Sequence, residues 1–149
     1  MEELVKKLKE KKMTISSCES LTGGLFASSL VSVSGASSVF VGGYVTYMDQ
    51  SKAILLDGEE VLRKVGAISK EMAYLMAQKV KEKLKSDIAI SFTGNAGPFP
   101  SEQKEVGLVY SCLMIKDKVY YFEDHYRGDR NTIRNSCIVD AKKRILEYL

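Results

Sequence analysis

Leu4, Val5 and Leu8 fall on one side of a stretch otherwise made of lysine and glutamate, which predicts a short amphipathic helix over residues 2–12. A β-prone run over 13–17 ends in small polar residues. The turn-rich segment Cys18-Glu19-Ser20-Leu21-Thr22-Gly23-Gly24 follows, then apolar residues 25–33, which together read as strand, tight turn and helix. Gly35 closes that helix, and residues 39–47, rich in Val, Phe and Tyr, predict a strand in which Gly42-Gly43 marks a bulge or a close backbone approach. Asp49 is the expected N-cap of a helix through Leu56, and residues 59–65 add a helical turn or two. Met72, Leu75, Met76, Val80 and Leu84 make residues 69–84 the most regular amphipathic helix. Ser69 caps it, with Met72 where a capping box would place Glu. A nearly continuous apolar run over 87–93 predicts a buried strand entering the loop 93–105. Residues 106–115 and 119–126 alternate around Lys116-Asp117-Lys118 as a hairpin, and 131–149 close the chain as a helix behind Gly128 and the N-cap candidate Asp129. Helices and strands in this order predict the α/β class, as a three-layer α/β/α sandwich on a mixed β-sheet in a single domain. Ligands of such sheets sit beyond the carboxyl ends of strands. The turn at Ser20 and the loop after Thr93 are both strand-end loops of that kind.

The chain has 149 residues, the length of one typical domain. With 45% hydrophobic and 28% charged residues it has an ordinary globular composition, which excludes a disordered or fibrous chain. No apolar run approaches the roughly 20 residues that cross a bilayer, and the charged N-terminal stretch is no secretory signal, so the cytoplasm is the expected location. The net charge of +3, from 22 basic and 19 acidic side chains, is too small an excess to mark a nucleic-acid partner, and no basic stripe interleaved with aromatics is present. Cys18, Cys112 and Cys137 are odd in number and widely spaced, as expected of reduced buried thiols. A single histidine, His125, excludes a His-rich metal site and is all a Ser-His-Asp triad would have. Its place in a strand reads as packed or surface.

Candidate chemistry therefore falls on serine and lysine. Ser20-x-Thr22-Gly23-Gly24 opens a helix, where unpaired N–H groups and the helix dipole favour negative charge. Ser20 then reads either as a nucleophile whose alkoxide and tetrahedral intermediate are held by amide donors, or, like Thr22, as a plain N-cap. Lys52 falls in a first helical turn, where the dipole disfavours an ammonium, and burial beside Tyr47 would lower its pKa toward that of a general base; otherwise it is a solvated surface lysine. Tyr47 ends a strand at the same rim, placed to hold the lysine or relay a proton, or simply half-buried. Thr93-Gly94-Asn95-Ala96-Gly97-Pro98 is a small-residue loop that admits close backbone approach and matches neither GxxxxGK[ST] nor GxGxxG. Arg130 stands at the start of the last helix, where a cation needs an anion opposite: a ligand phosphate or carboxylate, or an internal acid such as Glu19. Ser101-Glu102-Gln103-Lys104 spells SxxK by chance, in a chain too short for the penicillin-binding fold and without SDN or KTG.

Glu19-Ser20-Leu21-Thr22-Gly23-Gly24, Gly43-Tyr44-Val45-Thr46-Tyr47 with Lys52 five residues on, Gly66-Ala67-Ile68-Ser69, Thr93–98, Val106-Gly107 and Gly128-Asp129-Arg130 occur in order along essentially the whole chain. This set resembles the CinA C-terminal domain family, the nicotinamide-nucleotide amidases related to competence- and damage-inducible proteins. The resemblance implies deamidation of nicotinamide mononucleotide to nicotinic acid mononucleotide and ammonia, with no metal or organic cofactor. It implies Ser20 as nucleophile, Lys52 as base and Tyr47 as the assisting residue. Glu19, Thr22, Gly23, Gly24, Thr93, Gly94, Gly97 and Arg130 are the implied substrate side, with the amides of 22–24 holding the oxyanion. Between Gly-Pro and Val-Gly the family carries a glycine-rich stretch and a Lys-Pro pair. Residues 99–105 here have no glycine, and Glu105 stands in place of that proline, so this loop is expected to depart from the usual shape. The larger N-terminal domain of many relatives is missing, which implies a stand-alone form. A non-catalytic nucleotide-binding or regulatory domain is the alternative function, and exposed strand edges predict homo-oligomers.

Overall fold

In a computed structural model describing residues 1–149, the strands β1 (Ile15–Glu19), β2 (Phe40–Val45), β3 (Ile88–Gly94), β4 (Leu108–Ile115) and β5 (Lys118–His125) form one mixed sheet. The order is β2-β1-β3-β4-β5, with β1 parallel to both β2 and β3, and β4 antiparallel to β3 and β5. Helices α1 (Glu2–Lys11), α2 (Leu25–Val31) and α6 (Arg130–Tyr148) cover one face; α3 (Asp49–Leu56), α4 (Glu59–Val65) and α5 (Lys70–Leu84) cover the other. The three-layer α/β/α sandwich on a mixed sheet is as expected.

Two cores explain the layering. Leu4, Leu8, Phe26, Leu30, Ile133 and Ile145 pack on Ile15, Ile88, Ile90 and Leu113 on one face. Met72, Met76, Val80 and Leu56 meet Cys18, Ala89, Cys112 and Met114 on the other. Each large side chain buried this way contributes about 1.5–3 kcal/mol. The small residues on the second face let α5 lie close to the sheet, and Ser91 Oγ donates to the Ala73 carbonyl oxygen of α5 at 2.5 Å. The inner strands β1 and β3 are buried on both faces, whereas the edge strands β2 and β5 alternate between half-buried and exposed positions.

Several boundaries differ from the sequence expectation. β1 runs on through Cys18 and Glu19, because each residue from Ile15 to Glu19 pairs with both β2 and β3. α2 stops at Val31, and Gly35, with φ 79°, opens a single 3₁₀ turn at Ala36–Ser38. β2 ends at Val45, two residues before Tyr47. The register slips by one residue between Phe40 and Gly42, the expected bulge, and a Cβ at Gly43 would stand 2.5 Å from the Ser17 carbonyl oxygen. Met48, not Asp49, is the N-cap of α3, and no side chain bonds there. Ser69 and Asp129 cap as expected, accepting from the N–H groups of Met72 and Thr132. The hairpin turn is Lys116-Asp117, with Lys118 already paired to Ile115. No helix is long and apolar enough to cross a membrane.

Candidate active site

The period of two along β1 decides which side chains meet at the end of the sheet. Cys18 faces α5; Glu19 turns to the α2 side, and Ser20 returns to the α5 side, where α3 presents Lys52. Lys52 is the fourth residue of α3 and is only 1% exposed. Its Nζ lies 3.1 Å from Ser20 Oγ, 2.8 Å from the Thr46 carbonyl oxygen and 3.1 Å from that of Tyr47. Burial pulls the amine below its ordinary value of 10.5, opposed by Asp49, whose carboxylate is 4.0 Å away. The surface-lysine reading is therefore wrong. Two of the three partners are carbonyls, which only accept. In the neutral amine both N–H bonds have a carbonyl, and the lone pair faces the Ser20 hydroxyl.

The turn after Ser20 departs from expectation. Glu19, 1% exposed, accepts N–H bonds from Gly24 at 3.1 Å, Phe26 at 3.1 Å and Ala27 at 2.9 Å, and Ser17 Oγ donates to it at 3.3 Å. The N-terminus of α2 is thus filled by the chain's own carboxylate. Glu19 pairs neither with Arg130 nor with the cleft. Gly24, φ 92°, is the N-cap of α2, which removes the N-cap reading of Ser20 and Thr22. The Gly23 N–H donates to the Ser20 carbonyl oxygen at 3.0 Å. Glu19, Thr22, Gly23 and Gly24 accordingly do not line the cleft, and the Gly23 and Gly24 amides are already committed. What remains at the cleft is the N–H group of Leu21, for which the chain supplies no acceptor; that of Thr22 also has none but belongs to a fully buried residue. The Thr22 hydroxyl is buried without a partner.

The opposite wall is the 93–105 loop. Thr93 Oγ1 donates to the Ala67 carbonyl oxygen, and Glu102 accepts from the N–H groups of Ala67 and Ile68, each at 2.9 Å, sewing the loop to the α4–α5 connection. Glu102 and Gln103 adopt left-handed φ values of 53° and 58°, and Ser101 and Lys104 form a backbone bridge. The SxxK motif is a tight turn. Asn95 Oδ1 accepts from the Gly97 N–H at 3.0 Å, and Nδ2 donates to the Lys104 carbonyl oxygen at 3.2 Å. A Cβ at Gly94 would stand 2.5 Å from the Leu108 carbonyl oxygen, so strand pairing explains that glycine.

Arg130 closes the rim, donating to the Gly97 carbonyl oxygen and, at 2.6 Å, to Tyr47 Oη. Both acceptors are uncharged, so no internal anion neutralises the guanidinium. Tyr47 is 55% exposed rather than half-buried, and holds Lys52 through its carbonyl oxygen, not its phenol. Ser20, Lys52, Tyr47, Thr93, Gly94, Gly97 and Arg130 all line one cavity of about 490 Å³. That is the size of a small-molecule site. Asn95, Asp49 and Glu102 share it and were not among the expected site residues; Asp49 reads in the sequence only as a helix cap, and no spacing marks a loop carboxylate such as Glu102 that reaches amides more than thirty residues away. His125 lies outside it, paired with Glu105 and, at 3.1 Å, with Glu123, which raise its pKa. No three His, Cys, Asp or Glu side chains converge to hold a metal.

The family model described as CinA C-terminal domain matches residues 1–149. The chain belongs to the CinA C-terminal domain family. It is 48% identical over 132 residues to a competence-damage inducible protein of Bacillus mycoides, covering 87% of this chain and 32% of the relative. A protein of the same description from Bacillus cereus is 49% identical over 129 residues, covering 85% and 31%. This CinA domain thus spans about a third of the length of the curated relatives it matches. Among crystal structures, a CinA superfamily protein of Escherichia coli superposes with a TM-score of 0.94 at 28% identity, covering 99% of this chain and 90% of that one. The competence/damage inducible protein CihA of Agrobacterium tumefaciens superposes with a TM-score of 0.90 at 32% identity, covering 98% and 93%.

Proposed function

We propose that this CinA domain is an amidohydrolase that converts nicotinamide mononucleotide into nicotinic acid mononucleotide and ammonia with a Ser20–Lys52 dyad. The observation that carries the reading is the buried Lys52 amine, 3.1 Å from Ser20 Oγ and otherwise bonded only to carbonyls. Neutral Lys52 accepts the Ser20 proton as Oγ attacks the carboxamide carbon, worth roughly 10²–10⁴-fold as general-base catalysis. The oxyanion forms near the free N–H group of Leu21, a residue of the cleft wall, and one such donor is worth roughly 10²–10³-fold. Lys52, now an ammonium, returns the proton to the amide nitrogen; the C–N bond breaks and ammonia leaves. Water then attacks the acyl-serine while Lys52 takes its proton, releasing the acid and restoring the Ser20 hydroxyl. Arg130, without an internal counter-ion, faces the substrate's phosphate. Self-association along the open edge of β2, where Val41 and Val45 are exposed, belongs to the same reading.

The test is mass-spectrometric detection of the acid product, with ammonia release, from pure protein without added metal. Ser20→Ala and Lys52→Met should each reduce turnover to background while retaining the native circular dichroism spectrum. Unimpaired release in either variant rejects the dyad. Binding of the nucleotide by the wild type with no product over a long incubation replaces this reading with a non-catalytic nucleotide-binding domain.

A further inference from the structure

We propose that Asp49 sets the specificity of the reacting end of the cleft: its carboxylate admits the neutral carboxamide and turns carboxylates away, the acid product among them. This specificity belongs to the amidohydrolase reading above and rests on it. Asp49 is the first residue of α3 and lines the same cavity as Ser20 and Lys52. Its side chain is 64% exposed, caps nothing, and accepts no hydrogen bond from the chain. Its one ionic partner is Lys52, whose Nζ at 4.0 Å is beyond hydrogen-bond length. The cavity's other acid, Glu102, is already taken up by the N–H groups of Ala67 and Ile68. The Arg130 guanidinium bonds to Gly97 and Tyr47 and not to Asp49. Asp49 is thus an anion with free oxygens, one contact away from the amine that reaches Ser20 Oγ.

The consequence follows from the charges at the two ends of the reaction. A carboxamide is neutral, whereas the acid that hydrolysis releases ionises at roughly pH 4 and is a carboxylate in the cell's pH range. While Lys52 is neutral, Asp49 has no compensating charge, so a neutral group is accepted beside Ser20 and an anion is repelled. When the Lys52 amine holds a proton, a product carboxylate would pair with it, and a buried ammonium would grip that ligand. Asp49 already stands at the ammonium and competes for it, so the product leaves. The other groups facing Lys52 do not supply this charge. The Cys18 thiol of β1 is pushed up to about 12 by burial and stays neutral, Thr46 and Tyr47 offer carbonyl oxygens, and Glu102 is held by amides. Because the Asp49 side chain is largely in water, solvent and salt screen its effect to about fivefold in affinity.

The experiment uses the full Ser20→Ala chain, which turns nothing over, with and without Asp49→Asn. Calorimetry measures the dissociation constants of nicotinamide mononucleotide and nicotinic acid mononucleotide, and of free nicotinamide and nicotinate. Asp49→Asn should tighten both acids about fivefold and leave both amides within about twofold. Raising salt from about 0.05 to about 1 M should narrow the acid-to-amide ratio when Asp49 is present and leave it unchanged in Asp49→Asn, the shared phosphate contact cancelling in the ratio. With Ser20 intact, Asp49→Asn should also move the rising limb of the pH profile of kcat to lower pH, since the carboxylate raises the Lys52 pKa, which a merely structural residue would not do. An unchanged acid-to-amide ratio overturns the proposal, as do acid and amide affinities that move together. Should Asp49→Asn fail to fold, the salt dependence with Asp49 present decides, and a ratio that does not narrow is fatal. Discrimination between nicotinate and nicotinamide without binding of either nucleotide refutes the nucleotide reading alone. Discrimination without acid product from the wild type refutes the amidase reading alone. Binding of none of the four compounds overturns both.

Discussion

The N-termini of α2 and α6 lie on the same face of the sheet and are built with opposite charges. At α2 three amides converge on the buried Glu19 carboxylate. At α6 Asp129 caps one amide, and the first two turns carry Arg130 and Arg134. The dipole states where negative charge is welcome, not whether a ligand brings it. At α2 the chain supplies the anion itself, so that end is structural and a substrate finds no vacancy. At α6 the cations bond only to uncharged acceptors, and Arg130 is left without an internal anion.

The sharpest way to break this comparison is to alter the buried amine of the cleft, which reaches Ser20 from the opposite face. Lys52→Arg keeps a cation that does not deprotonate, and turnover should fall roughly 10³-fold although the site's charge is conserved. An active Lys52→Arg variant would remove the base. In the wild type, turnover should climb with pH through the lowered pKa of Lys52 and level off below 10.5. Between the folded and unfolded pKa values the unfolded chain binds more protons, so stability also rises with pH across that window. This is read from urea midpoints.

Next in size is Glu19→Gln, which loses a charged acceptor of three backbone bonds and should cost about 2–3 kcal/mol in urea unfolding. Unchanged stability would mean that the α2 amides do not need the carboxylate. At the other end, Arg130→Gln should raise KM for the phosphorylated nucleotide roughly tenfold, leave the dephosphorylated nucleoside unaffected, and move the melting temperature little. Equal effects on both compounds would refute a phosphate contact. The smallest effect is Tyr47→Phe, which removes one acceptor of Arg130 and should change KM by a few-fold, since Lys52 is held by the Tyr47 carbonyl that the variant keeps.

Much of the architecture was legible in the pattern of the chain. The apolar run of β3, the alternation of β4 and β5 and the stripe of α5 each express a local period, and caps such as Ser69 and Asp129 act within three residues. Ser20 and Lys52 were legible only by combining the helix-end argument with the family resemblance. Glu19 was misplaced because its neighbour Ser20 faces the cleft, and adjacent residues of a strand point to opposite sides. Glu102 and Arg134 were overlooked because their partners are backbone groups distant in the chain.

The order of residues by itself determined the elements, their layers and the family, because periodicity, caps and turn residues act over a few positions. Tertiary structure alone decided which face Glu19 takes, how dry Lys52 becomes and which carbonyls orient the two arginines. Those outcomes depend on strand register and on the proximity of segments far apart in the chain, and a charge acquires its role only from the partners that folding brings to it.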